Sequence, residues 1–261
     1  PYGVIGSITP STNPSSTVIN NSISMVAAGN GVVFNPHPSA KKVCLETISI
    51  LNKAIYDAGG PKTLLTAPIN PTMATSKVIM THKDVRILTV TGGEAVVEIA
   101  MKSGKKTIAA GPGNPPVIVD ETANIEKAAN DIIKGASFDN NVLCIAEKEA
   151  FVVSSVFTKL RSEMIRNGAY ELKRHEIPIV TKEVFTTTQQ GEVVVNKKYV
   201  GKCAADILKA CNILVHVNTK LIIAEVQEDH PFITVEMLMP VLGMVRVHSV
   251  EEAIEKAVVA E

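Results

Sequence analysis

The chain has 261 residues, 46% of them apolar, with 26 basic and 26 acidic side chains and 4% aromatic residues, none of them tryptophan. This balance argues against a nucleic-acid partner, because phosphate binding needs clustered positive charge. No apolar run approaches the roughly 20 residues that span a bilayer, and nothing at the start reads as a signal peptide, so no membrane partner is expected.

The first stretch, "YGVIGSIT", reads as a strand, and "PSTNPSS" as a turn. A helix is expected from there to about Ala28, with Asn13 as its cap and Pro14 at its first position. "GNGVVFNP" reads as a second strand. Ser39 is the expected cap of the next helix, whose apolar face carries Cys44, Ile48, Leu51 and Ile55. "TLLTAPI" reads as a third strand, "PTMATSKVIMTH" as a short helix and "VRILTVTGG" as a fourth strand. Glu94 to Ser103 is expected to be helical, and "KKTIAAG" to be a fifth strand.

"GPGNPP" interrupts this alternation. After "VIVD" comes a helix with Ile125, Ala128, Ala129, Ile132, Ile133 and Ala136 on one side. A second unit is then expected: strand "AFVVSSV", helix Thr158–Arg166, strand "IPIVT", helix Gly201–Cys211 and strands "LIIAEV" and "MVRVH". The last helix opens with Ser249 and Glu252 at capping-box spacing. Regular alternation of β-branched runs and helices predicts an α/β fold with parallel sheets covered on both faces. The expected division is a nucleotide-binding domain over 1–140 and a catalytic domain over 141–261. The abrupt start and the helical end suggest a piece of a longer protein.

The four cysteines are Cys44, Cys144, Cys203 and Cys211, without a CxxC pair. Free thiols in a reducing, cytoplasmic setting are expected. Cys44, Cys203 and Cys211 sit among apolar helix residues and read as core. Cys144 differs, because the polar loop "SFDNN" delivers it to the start of a new unit. The residues alone leave nucleophile and core filler both open. None of the six histidines is spaced to serve as its base, and His82 and His175 read as solvated. No metal-binding cluster is present. No GxGxxG or P-loop occurs either, although the alternating pattern is compatible with a dinucleotide site at the strand ends. "VTGGEAVV" reads first as a tight turn from strand to helix, and "PSTNPSS" as a cap or an anion-facing loop.

The order of these stretches carries more than any one of them. "PYGVIGSITPSTNP", "AAGNGVVFNPHPSAK", "ILTVTGG", "AAGPGNPPVIVDETANIEKAA", "FDNNVLCIAEKEAFV" and "VEMLMPVLGMVRVHSVEEAI" resemble successive motifs of the aldehyde dehydrogenase superfamily. The resemblance is to its CoA-acylating branch, the propionaldehyde and acetaldehyde dehydrogenases of bacterial microcompartments.

The resemblance implies a Rossmann-type nucleotide-binding domain followed by an α/β catalytic domain. It also implies oxidation of a short-chain aldehyde with NAD as cofactor and coenzyme A as acyl acceptor. Cys144 would be the nucleophile and would carry the acyl group. The side-chain oxyanion donor would fall at Thr12, with Asn13 beside it. The cofactor would be lined by Ile8, Thr9, Pro10, Ala67, Pro68, Thr91, Gly92, Gly93, Val96 and Gly111. Asn35 stands where relatives often carry a ribose-binding lysine. Glu236 matches a glutamate on the nicotinamide ribose, and Leu238 replaces a phenylalanine. Ala110 stands where hydrolytic relatives carry a water-activating glutamate, which favours a thiol acceptor over water. The resemblance further implies homo-oligomers in the full-length protein, a microcompartment shell as partner and a location in the cytoplasm or microcompartment lumen. A related acyl-phosphate reductase, a non-catalytic nucleotide-binding fragment and a cysteine hydrolase are the competing readings.

Overall fold

The run Val-Ile-Gly-Ser-Ile-Thr forms β1 (Val4–Thr9), which is buried from Ile5 onward, as a central strand of a parallel sheet must be. The computed structural model describes all residues from Pro1 to Glu261 and divides at Pro112/Gly113 into two compact units.

In the first unit β1 is followed by α1 (Pro14–Ala27), β2 (Gly31–Pro36), α2 (Lys41–Asp57), β3 (Leu65–Thr66), α3 (Met73–Thr81), β4 (Val85–Thr91), α4 (Glu94–Met101) and β5 (Lys106–Ala110). All five strands are parallel, in the order β3-β2-β1-β4-β5. The order reverses between β1 and β4, which places a ligand crevice at their carboxyl ends. One core lies under α1 and α2 and includes Val18, Phe34, Cys44 and Ile48. A second lies under α3 and α4 and includes Ile79, Met80, Leu88 and Ala100.

Several local expectations change. Pro14 does open α1, but the Asn13 side chain makes no cap bond. Ser39 does not cap α2. It lies in a 3₁₀ turn over Pro38–Ala40, where its N–H donates to the His37 ring. β3 keeps only two residues, and the Asn52 side chain takes the outer hydrogen bonds of Leu65 that a further strand would need.

The second unit contains β6 (Pro116–Val119), α5 (Ile125–Ser137), β7 (Glu149–Val153), α6 (Ser154–Arg166), β8 (Ala169–Glu171), α7 (Ile177–Val184), β9 (Phe185–Thr187), β10 (Val193–Val195), α8 (Ala204–Ala210), β11 (Leu221–Glu225), α9 (Pro231–Thr234), β12 (Val241–Val247) and α10 (Val250–Ala260). Its parallel sheet runs β6-β7-β12-β11-β8, and β9 and β10 form a separate antiparallel pair.

The division between units falls before "NPPVIVD", not near 140. β6 is the parallel neighbour of β7, and α5 buries Ile125, Ala129, Ile132, Ile133 and Ala136 in one core with Leu160 of α6. Each such isoleucine contributes about 1.5–3 kcal/mol on burial, which ties α5 to this sheet. The segment "IPIVT" is helical in α7 and not a strand. Pro178 sits in the first turn, where its missing N–H costs nothing, and Val180 and Val184 bury one face at i, i+4 spacing. α6 starts at Ser154, so the strand before it ends at Val153. α8 occupies Ala204–Ala210, inside the wider range expected.

Gly6 of β1 faces α3 so closely that an added Cβ would lie 2.6 Å from Ile79 Cγ2 and 3.0 Å from Leu88 Cδ2. Gly6→Ala is therefore expected to destabilise the protein by about 1–3 kcal/mol through overpacking, read as a lower urea midpoint. An unchanged midpoint would show that α3 gives way freely.

Candidate active site

The four thiols separate by environment. Cys44 is fully buried beside Thr9, and burial raises its pKa. Cys211 is buried and its pKa is pushed up to about 11, first by burial and then by Glu183. Cys203 is half-buried at the start of α8 rather than in the core, because the chain enters the helix there. Cys144 is also half-buried, in the loop between α5 and β7.

That loop has an unusual backbone. Asp139, Asn140 and Asn141 take φ values of 48°, 53° and 59° in succession. Side-chain-bearing residues occupy this left-handed region at a cost, and Asp and Asn tolerate it best. The sequence "DNN" suits the turn for that reason. Val142 N–H donates to the Asp139 carbonyl, and Asn140 Nδ2 donates to Gly201 O at 3.0 Å. Asn141 is fully buried, and its Nδ2 donates to Ala136 O and Glu147 O, each at 2.8 Å. The Cys144 N–H meets no acceptor within the chain, so it is a free donor beside the thiol.

"GPGNPP" contributes a close backbone approach. A Cβ on Gly113 would lie 2.9 Å from the carbonyl oxygen of Cys144, so only glycine leaves that carbonyl in place. Gly113 N–H faces Glu236 Oε1 at 3.5 Å. Asn114 is buried, and its Nδ2 donates to Ile233 O and Ala260 O, at the ends of α9 and α10.

Two buried ionisable groups sit just beyond Cys144 in the chain. Lys148 is 3% exposed and its pKa falls to about 8, because burial outweighs the attraction of Glu236, Cys144, Glu149 and Glu147. Glu149 is completely buried, neither of its oxygens has a partner, and its pKa rises to about 8 through burial. Burial also raises the pKa of Glu236, with Lys148 and the Gly113 N–H opposing it. Both Lys148 and Glu149 lie in "AEKE", whose dense charge reads as solvated surface. The signal available in the sequence is their adjacency to the apolar run "AFVV".

The cofactor residues expected in the first unit mostly come together. Ile8, Thr9, Pro10, Asn35, Thr91, Gly92, Gly93 and Val96 line one cleft of about 110 Å³, with Pro36, His37 and Thr72. This cleft lies at the carboxyl ends of β1, β2 and β4. Ala67 and Pro68 are not among its lining residues, because β3 ends at Thr66 on the sheet edge. Gly111 does not line it either. Gly92 serves the turn, since a Cβ there would lie 2.8 Å from Val96. Asn35 is buried and committed: its Nδ2 donates to Ser76 at 2.7 Å and its Oδ1 accepts from Thr75 at 2.6 Å. Thr12 donates to Asn13 Oδ1 at 3.1 Å, which leaves the Asn13 amide nitrogen free. Glu236 and Leu238 belong to the second unit, and Leu238 takes a φ of 53° while its carbonyl accepts from Gly201 N–H. No group of three or more metal-binding side chains occurs, and no helix is long and apolar enough to cross a membrane.

The aldehyde dehydrogenase family pattern matches residues 1–258. The chain belongs to the aldehyde dehydrogenase family. It is 47% identical to the acetaldehyde dehydrogenase (acetylating) EutE of Salmonella typhimurium, over 100% of this chain and 56% of that protein. Its structure is similar to a propionaldehyde dehydrogenase from the fucose utilisation microcompartment of Clostridium phytofermentans. The TM-score is 0.94 at 45% identity, covering 100% of this chain and 59% of the other. It is also similar to a propionaldehyde dehydrogenase of Rhodopseudomonas palustris with bound CoA and an acylated cysteine, with a TM-score of 0.93 at 44% identity and cover of 100% and 59%. The chain thus spans a little over half the length of these relatives.

Glu149 gives a pH test. Its folded pKa lies above the ordinary 4.5, so its stabilising contribution is full below 4.5 and is lost as pH rises through about 8. Lys148 acts oppositely and only above about 8, because its folded pKa is depressed from 10.5. Stability is expected to fall between those carboxyl limits, and Glu149→Gln should remove on the order of 2 kcal/mol of that fall, measured by urea unfolding across the range. A slope that persists in the variant would place the titration elsewhere. Separately, Gly113→Ala should slow alkylation of Cys144 roughly threefold or more and leave Cys203 unchanged, read by mass spectrometry of the labelled peptides.

Proposed function

We propose that the protein oxidises a short-chain aldehyde with NAD and passes the acyl group to coenzyme A, giving acyl-CoA and NADH. The observation that carries this reading is Cys144: a half-exposed thiol beside its own free N–H, on a loop held in a costly conformation. Backbone strain of this kind is kept where the surrounding structure fixes it, and a reactive thiol is a reason to fix it.

The chemistry of the first-unit cleft suits part of a dinucleotide. It is nearly uncharged, and its lining includes the apolar Ile8, Pro10 and Val96 and the polar Thr91. It also adjoins the N-terminus of α4 at Gly93, where free amides favour a phosphate group. When bound there, NAD supplies the hydride acceptor. Asn35, with both ends of its amide committed, shapes this cleft more than it contacts a ribose. Glu236 and Leu238 are kept as proposed cofactor contacts on the resemblance, as are Ala67, Pro68 and Gly111.

Cys144 as thiolate adds to the aldehyde carbon, and the carbonyl oxygen becomes an oxyanion. The Cys144 N–H is the donor at hand. Of the two side chains that the resemblance offers as the second donor, Asn13 is favoured over Thr12 because its N–H groups are unengaged. Loss of hydride leaves a thioester on Cys144. The thiolate of CoA then attacks the thioester carbon, acyl-CoA departs and the Cys144 thiolate is restored. At Ala110 there is only a methyl group, so no carboxylate at that position prepares water for the same attack. The nucleotide-binding role of the first unit and the catalytic role of the second belong to this proposal. So do association with other copies and with a microcompartment shell, and those two rest on the relatives alone.

The test is NADH formation from propanal and NAD, with and without CoA. CoA-dependent turnover is expected, falling by a factor on the order of 10³ or more in Cys144→Ser. Turnover that survives in Cys144→Ser, or that ignores CoA, would overturn the reading.

A further inference from the structure

The three left-handed residues before Cys144 need something to hold them. Each costs on the order of 1–2 kcal/mol relative to relaxed backbone, and nothing in the local sequence forces them to occur together. The group that reaches into the turn is Lys148. Its own N–H is bonded to Pro115 O at 3.0 Å, which ties its backbone beside β6. Its side chain folds back over the loop. Nζ donates to Asn141 O at 2.9 Å, to Leu143 O at 2.9 Å and to Asn141 Oδ1. An ammonium has three N–H donors, and these three acceptors use them all. Every acceptor lies within the three residues that precede Cys144.

The same lysine carries an uncompensated charge. It is almost wholly buried, and the contacts of its Nζ are to carbonyl and amide oxygens rather than to a carboxylate. The groups that offset its burial are Glu236, then Cys144 as thiolate, then Glu149 and Glu147. A buried cation without a salt-bridge partner is expensive unless an anion forms nearby. The thiol of Cys144 is the member of this set that becomes an anion in the proposed reaction.

We propose that Lys148 is a positioning residue for Cys144: it clasps Asn141 and Leu143 and holds the left-handed turn that presents the thiol. This rests on reading Cys144 as the nucleophile. Lys148 acts through the loop, not by touching substrate.

The experiment measures the alkylation rate of Cys144 by iodoacetamide against pH in the intact chain, with Cys203 as the internal reference. Wild type is compared with Lys148→Met and Lys148→Arg, each checked by circular dichroism. Cys144 in wild type is expected to label roughly tenfold faster than Cys203 at neutral pH. In Lys148→Met its rate should fall about tenfold, while Cys203 stays unchanged. Lys148→Arg, which keeps the charge, should recover part of the loss. Equal rates for Cys144 in wild type and Lys148→Met would overturn the positioning role and leave the nucleophile standing. A wild-type Cys144 no faster than Cys203 would remove both. If Lys148→Met does not fold, Asn141→Gly carries the test, since glycine also adopts left-handed backbone and the change removes an acceptor that Lys148 grips, together with the Asn141 amide bonds to Ala136 and Glu147. Unchanged labelling in that variant overturns the proposal.

Discussion

Asp139, Asn140 and Asn141 hold left-handed backbone in succession between α5 and β7, and the placement of Cys144 depends on the groups that keep them there. Those groups come from several parts of the second unit. Asn141 bonds back to the end of α5 and forward to Glu147. Asn140 reaches Gly201, and Gly113 leaves room for the Cys144 carbonyl. Lys148 fastens the turn from inside with all three of its protons. The turn therefore reports on the folding of the whole unit: it is held only when α5, β6 and β7 are in place.

The two units use related architecture for different ends. The first sheet reverses its strand order between β1 and β4, and its cleft collects small, uncharged and apolar residues at that point. Such a lining suits a ligand whose charge is handled by backbone amides at a helix start. The second sheet has no comparable role in the proposal. It supplies a rigid edge, β6-β7, from which the cysteine loop and Lys148 are hung. In the proposed reaction the chemistry belongs to the loop, and the strands beneath it supply the precision.

Much of the first unit was legible in the sequence. The alternation of β-branched runs and amphipathic stretches placed β1, β2, β4 and β5 closely. The stripe from Ile125 to Ala136 marked α5. The motif order led to Cys144, and eight of the expected cofactor residues share one cleft. The errors have physical causes. The expected boundary at 140 placed "VIVD" and the helix after it in the first unit, but strand pairing is set by tertiary contact and joins "VIVD" to β7. "IPIVT" has strand composition, yet Pro178 and the buried pair Val180 and Val184 make it a helix. Lys148 and Glu149 were hidden within a charged stretch, because the sequence does not show which charges the fold will bury. Asn35 was assigned by position, and only its two hydrogen bonds show that its amide is already engaged.

The central claim is that Cys144 carries the acyl group between aldehyde and CoA. The most direct measurement runs the last step backwards, without NAD or aldehyde. The folded chain is incubated with propionyl-CoA, digested and weighed by mass spectrometry. The account predicts one propionyl group on the peptide that contains Cys144 and none on those containing Cys44, Cys203 or Cys211. A folded protein that stays unmodified, or one acylated chiefly at Cys203, would contradict it.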